Sequence, residues 1–243
     1  MPDPIEVNRR FYDTLWSEAR FLGPERFNTW PLVSELAQHA RARLEIGAGL
    51  RPRLPLAGTS FADASRPAID RLNAAGGRAV VADGAALPFA SASFGLVAAF
   101  DLIEHIPDDR ATLAEIRRVL ADDGSLLCAV PLHKSAWTDF DDFVGHFRRY
   151  DPTDLVALLA EYDLEVEKSA VYGMQPKSTW LLRLGMYMLT KNRKRAMRWY
   201  NGVLMPLAVR FQKPLRFEPG LPATPGVDEV VLLCRSTRGR RSQ

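Results

Sequence analysis

The chain has 243 residues, 32 Lys and Arg against 29 Asp and Glu, a net charge of +3, and 47% hydrophobic residues. These values suit one α/β domain with elaborations and exclude a disordered or collagen-like chain. No apolar run approaches the roughly 18 residues of a spanning helix. No apolar stretch follows Arg9-Arg10 either, so the pair is not read as an export signal.

The first forty residues, rich in aromatics (Phe11, Tyr12, Trp16, Phe21, Phe27, Trp30), read as helices preceding a sheet, a helical cap over 1–40. From 41 onward short apolar runs alternate with helical patterns. Ala42 to Ile46 is a first strand, and a poorly marked second ends near Phe61-Ala62. Arg66 to Ala75 is a helix with Pro67 in its first turn and Gly76-Gly77 as its stop. Ala79 to Ala82 reads as a buried third strand, Phe94 to Phe100 as a fourth and Ser125 to Val130 as a fifth. Between the last two, Leu113, Ile116 and Leu120 share a helix face capped by Asp108 or Asp109. A helix from Asp151-Pro152, with Asp151 as its cap, precedes a strand at Leu164–Val171, and Asp228 to Ser236 is the last strand. Apolar strands alternating with helices predict a doubly wound, mostly parallel sheet. Cys128 and Cys234 fall in apolar strands and read as buried free thiols of a reducing cytoplasm.

Charge is unevenly placed. Between Lys168 and Phe217 there is no Asp or Glu, while eleven basic residues stand there, among them Lys177, Arg183, Lys191, Arg193, Lys194, Arg195 and Arg198. The rest of the chain is acidic, 21 basic against 29 acidic residues. The stretch lies in a basic, apolar helical insertion at about 174–226, in which Trp180, Leu184, Met186, Trp199 and Tyr200 interleave with cations. It predicts a cover for the acceptor cleft or a peripheral contact of 168–217 with a membrane or anionic ligand. Plain helix packing with a solvated face is the alternative.

The chemistry gathers at strand ends. Glu45-Ile46-Gly47-Ala48-Gly49 places two glycines after a buried strand, where the backbone turns tightly and can approach a ligand. As a dinucleotide fingerprint it fails, because the third glycine position is Pro52, which disfavours a nicotinamide oxidoreductase. Asp63-Ala64 ends the second strand and can take the hydroxyls of a ribose; Asp83-Gly84 ends the third and can take an adenine amino group. Three acids ending successive strands point to a shared ligand at the carboxyl edge.

Together with Leu87-Pro88-Phe89, Phe100-Asp101, Glu104-His105 and Gly145-His146-Phe147-Arg148-Arg149-Tyr150, this pattern resembles the class I S-adenosylmethionine-dependent methyltransferases, specifically the small-molecule group with Leu-Pro-Phe and Glu-His signatures. The resemblance implies a Rossmann-like, seven-stranded, mostly parallel sheet with helices on both faces and an antiparallel last strand. It implies S-adenosyl-L-methionine as cofactor. Glu45, Gly47, Ala48 and Gly49 would line the methionine half, Asp63 and Ala64 the ribose, Asp83 and Gly84 the adenine, and Phe100 and Asp101 the sulfonium. Arg51 stands where the family usually has its third glycine; Arg51 or Arg53 is expected to pair with the cofactor carboxylate. The implied reaction moves a methyl group to O, N or C of a small, apolar or amphiphilic acceptor. A base would come from His133, His105 or His146, with His133 favoured. No Cys or His spacing suggests a metal. A non-catalytic cofactor- or lipid-binding protein on the same fold, or a nucleic-acid methyltransferase, is the alternative; no Pro-Pro signature of the adenine-modifying enzymes follows Phe100.

Overall fold

A computed structural model describes residues 4–173, 179–221 and 224–241, so Lys177 lies outside the described residues. Two helices precede the sheet, α1 (Pro4–Glu18) and α2 (Trp30–His39). The chain then builds β1 (Arg43–Ile46), β2 (Thr59–Asp63), α3 (Arg66–Ala74), β3 (Arg78–Val81), β4 (Phe94–Phe100), α4 (Asp109–Val119), β5 (Leu120–Pro131), α5 (Asp139–Val144), α6 (Pro152–Glu161) and β6 (Leu164–Tyr172). Beyond them come α7 (Thr179–Lys191), α8 (Arg193–Trp199), a π-helical turn at Tyr200–Leu204, α9 (Met205–Arg210), β7 (Glu218–Pro219), β8 (Glu229–Ser236) and α10 (Arg238–Arg241).

The strands form one sheet in the order β3-β2-β1-β4-β5-β8-β6-β7. Pairing is parallel from β3 across to β5, and β8 runs antiparallel between β5 and β6. Seven strands follow the Rossmann-like arrangement expected. The eighth, β7, pairs with β6 through two residues only, too few to leave a periodicity in the sequence. Strand order reverses at β1, whose neighbours are β2 and β4, and the carboxyl ends of these strands are where such sheets bind ligands.

Successive β4 residues serve opposite faces, as strand geometry requires. Val97 and Ala99 pack with Leu113 and Ile116 of α4 and Leu155 and Leu159 of α6. Leu96, Ala98 and Phe100 pack with Val33 of α2. Each fully buried Leu or Ile contributes about 2 kcal/mol, so this double-sided burial fixes the register of the central strands.

Two crossovers depart from a regular β-α-β pattern. Residues 47–58, between β1 and β2, and 82–93, between β3 and β4, contain no helix. Each is about the dozen residues that a parallel crossover needs at minimum. Without a helix after it, β3 is left as a thinly covered edge. The expectation of a buried third strand is therefore corrected: Val80 is 37% and Val81 44% exposed. The cap on α6 is corrected too. Asp151 occupies the N-cap position, yet its carboxylate accepts from the Lys134 amide at 3.1 Å instead of from the helix. In α4, by contrast, Asp108 does cap, accepting from Ala111 N at 2.9 Å. No described helix is long and apolar enough to cross a membrane.

Candidate functional site

β1 delivers the chain into a turn whose two glycines have positive φ, 71° at Gly47 and 54° at Gly49. A Cβ on Gly49 would sit 2.3 Å from Trp16 Cζ2, and one on Gly47 would sit 2.8 Å from Leu102 Cδ1. Conformation and space both demand glycine there. Glu45 is buried beneath the loop and holds it closed. Its Oε1 and Oε2 accept from Arg53 N at 2.8 and 3.0 Å, and Oε2 also accepts from Leu54 N at 2.8 Å. Burial pushes this carboxyl up to about 7, against the pull of the two amides.

Asp63 closes β2. Its Oδ2 accepts from Gly49 N at 2.9 Å and its Oδ1 from Ser65 N at 2.8 Å. Burial raises its pKa and the two amides oppose the rise. A carboxylate offers about four acceptor positions, so each oxygen of Asp63 retains capacity. Ala82 N donates to Asp63 O at 3.1 Å, which joins the tips of β2 and β3. Asp83 follows immediately, exposed, with Oδ1 accepting from Ala85 N at 2.9 Å. Ala64 is exposed, and Gly84 is buried against Ile106 and Thr112.

Asp101 leaves β4 with φ 49°, a left-handed conformation uncommon outside glycine. Beside it stands Glu229, which sequence reasoning missed. Because β8 is antiparallel, its first residue reaches the carboxyl ends of the parallel strands, opposite Pro131. Burial, then the charge and hydrogen bond of Asp101, raise the Glu229 carboxyl well above the usual range. Arg53 is buried nearby and fully engaged. Its Nε and Nη2 donate to Tyr172 Oη at 3.2 and 2.9 Å, its Nη1 donates to Arg51 O at 2.7 Å, and its guanidinium lies 3.7 Å above Phe27. Arg51 is the opposite case. Its guanidinium sits between Trp16 and Tyr200, 5.3 and 5.0 Å from the ring centroids, and its buried Nη2 has no partner. Burial and the neighbouring Arg53 pull it down to about 10, which leaves it charged at neutral pH. Arg51 also lines a cavity of about 230 Å³ with Arg20, Arg26, Tyr200 and Asn201, and among the described residues no carboxylate borders that cavity.

The histidines divide. After β4, a 3-10 turn carries Glu104 and His105. His105 Nδ1 accepts from Asn8 Nδ2 at 2.6 Å, so the proton sits on Nε2 and is shared with Tyr12 Oη at 3.1 Å. Its ring meets His146 edge-on, 4.4 Å between centroids, and burial with His146 beside it holds its pKa well below the usual value. His146 Nδ1 donates to Asp141 Oδ1 at 2.8 Å. Asp141 also receives Arg149 Nε and Nη2 at 2.8 and 2.9 Å and both Thr138 donors. Burial opposes ionisation of Asp141, and these bonds from His146, Arg149 and Thr138 outweigh it and hold its pKa below the usual range. His133 stands outside this grouping, with Nε2 donating to Thr224 O at 2.8 Å.

Glu104, His105 and His146 offer donor atoms within 4.8 Å of one another, the type of set that holds a divalent ion. Both His105 nitrogens and His146 Nδ1 are already committed, however. Among the described residues this leaves His146 Nε2 and the buried, unpartnered Glu104 Oε2, fewer donors than a protein zinc site uses.

A doubly wound sheet with a two-glycine turn at its switch point and acids along the adjoining strand ends defines a Rossmann-like fold. Comparison with known proteins names the domain: residues 45–128 match the family described as "Methyltransferase domain". An uncharacterized protein of Mycobacterium tuberculosis is 36% identical over 110 residues, 45% of this chain, and the match spans about 38% of that curated relative. A solved SAM-dependent methyltransferase of Thermotoga maritima, a possible histamine N-methyltransferase, superposes with TM-score 0.61 at 14% identity, covering 96% of this chain and 99% of that one. The [4+2]-cyclase SpnF gives TM-score 0.61 at 15% identity over 97% and 96%. A putative sarcosine dimethylglycine methyltransferase of Galdieria sulphuraria gives 0.57 at 14% over 97% and 98%. The resemblance to class I S-adenosylmethionine-dependent methyltransferases therefore extends to domain and fold.

Proposed function

We propose that the protein transfers a methyl group from S-adenosyl-L-methionine to an O, N or C atom of a small acceptor. The observation that carries this is the placement of Asp63 and Asp83 at adjoining strand tips, beside the Gly47–Gly49 turn and a charged Arg51 whose buried Nη2 has no partner. These residues suit the cofactor. Asp63 has acceptor capacity left for ribose hydroxyls, and Asp83 is exposed at the next strand tip. Arg51, and not Arg53, each of whose guanidinium nitrogens already donates to the protein, fits the methionine carboxylate. Glu45 serves by holding the loop shut from below.

When bound, the cofactor supplies a methyl group already activated on a sulfonium, so the chain has chiefly to position the acceptor. Tyr12 and Trp16 from α1, with Met197 and Tyr200 from the insertion, cover the loop with apolar surface, which suits an apolar or amphiphilic acceptor and excludes water. Asp141 fixes the proton of His146 on Nδ1 and leaves Nε2 as an acceptor. That makes His146 the favoured base for a hydroxyl or amine acceptor, ahead of His105 and His133. Calorimetry with S-adenosylhomocysteine tests the cofactor half, and absence of heat overturns the proposal. Labelled methyl transfer to a panel of small acceptors tests the rest. His146→Ala is expected to abolish turnover of a protonated acceptor while His133→Ala retains it; the reverse would restore His133.

The likeness to a [4+2]-cyclase supports one second reading, a protein that holds the cofactor on this fold without methyl transfer. Bound S-adenosylhomocysteine with no methylated product across the panel would favour it.

A further inference from the structure

The surface of the late insertion is unlike the rest of the molecule. Among the described residues, eight of the fourteen exposed large apolar side chains fall between positions 180 and 211. On α7, Trp180 (68% exposed), Leu184 and Tyr187 (62%) recur at steps of four and three, one helix face. Farther on, Trp199, Val203, Leu207 and Phe211 (73%) recur every four. The wider π turn at Tyr200–Leu204 offsets the angular drift that four-residue steps accumulate on an α-helix. These side chains are uncovered although the same helices bury Ala196, Met197 and Met205 inward, so the segment has a packed side and an apolar outer side.

Its charge is as one-sided. Arg183 pairs with Asp139 and Arg193 approaches Glu18, ties that hold the segment to the body. Lys191, Lys194, Arg195 and Arg198 have no acidic partner among the described residues, and no Asp or Glu occurs between Lys168 and Phe217. A second copy of the chain meeting this face with its own would set like charges together. A nucleic acid would satisfy the cations and stack on Trp180 or Trp199, but would leave Leu184, Val203 and Leu207 in water. An anionic bilayer satisfies both halves at once: phosphate headgroups for the cations, the acyl boundary for the aliphatic side chains, and the interface for Trp and Tyr.

The geometry points to α7–α9 as a peripheral docking surface for anionic lipid. The helices lie along the interface, since none described is long and apolar enough to cross it. This does not depend on the methyl-transfer reading, because vesicle binding and cofactor binding are read separately.

The test is co-sedimentation of the full chain with phosphatidylcholine vesicles, with and without phosphatidylglycerol. Binding is expected only to the anionic vesicles and should weaken with salt. Each cation removed should cost about fivefold in partitioning, so Lys191→Gln with Lys194→Gln and Arg195→Gln should lower it about a hundredfold. Trp180→Ser with Leu184→Ser should lower it separately. All five positions are solvent-exposed, and an unchanged thermal midpoint verifies folding of the variants. No sedimentation with anionic vesicles, or equal sedimentation of the variants, overturns the proposal. Salt-sensitive binding of single-stranded RNA without vesicle binding also overturns it, in favour of a nucleic-acid surface.

Discussion

Glu45→Gln removes a titrating group from beneath the glycine turn, and its effect on folding can be worked out from the site. In the folded protein the carboxyl ionises at about 7, against an ordinary value of 4.5. Below pH 4.5 both folded and unfolded forms hold the proton. Between these values the folded form binds more protons than the unfolded one, so stability falls as pH rises. Over the roughly 2.5 units involved, at about 1.36 kcal/mol per unit, Glu45 accounts for a loss of about 3 kcal/mol. Glutamine removes that dependence; its oxygen in the Oε2 position can still accept from both Arg53 N and Leu54 N, while its amide nitrogen loses the Arg53 N contact at Oε1, a cost that is the same at both pH values. The other raised acids, Asp63, Glu104 and Glu229, titrate in both proteins and cancel in the difference. Urea unfolding of the two proteins at pH 5 and pH 8 is the assay. The variant should lose about 2.5 kcal/mol less than the parent between pH 5 and pH 8, since a little under two of those units are titrated in that interval; equal losses would refute the account of Glu45 as a buried clamp.

Three further outcomes follow from contacts in the site. Gly49→Ala must hold a positive φ, about 1 kcal/mol, and push back the Trp16 ring, about 1–3 kcal/mol more; a lowered thermal midpoint checks it. Asp141→Asn strips the buried partner of Arg149 and His146 and should cost about 3–5 kcal/mol, measured by denaturant unfolding. Arg51→Gln should weaken S-adenosylhomocysteine binding by about 10- to 100-fold, as expected for one charged hydrogen bond, with little change in midpoint. Arg53→Gln, which breaks the Tyr172 contacts, should chiefly lower the midpoint.

What could be read from the sequence was what is local. The strand-and-helix alternation, the glycine turn and the acids at 45, 63 and 83 are each signalled within a few residues, because a strand end and its turn are encoded together. The partners that complete the site come from elsewhere in the chain. Trp16 reaches Gly49 from α1, Tyr172 reaches Arg53 from β6, and Glu229 reaches Asp101 because β8 runs backwards. No periodicity around residue 229 signals that approach. The third strand misled because Ala79–Ala82 is apolar, and hydropathy does not reveal that residues 82–93 carry no helix to cover it. His133 looked equivalent to His105 since both follow strands; the Thr224 carbonyl that occupies its ring lies ninety-one residues away. Asp141 left one local mark, the Thr138-x-x-Asp141 capping box.

The helix-free link between β1 and β2 alters how this edge of the sheet meets negative charge. A helix starting after the glycines would point backbone N–H groups and about half a positive charge toward a bound anion, in a field spread over several peptide units. Residues 47–58 provide no such array; in its place is one whole charge on the single side chain of Arg51, braced by two aromatic rings. Attraction concentrated in one guanidinium is more directional than a dipole and depends on a single codon.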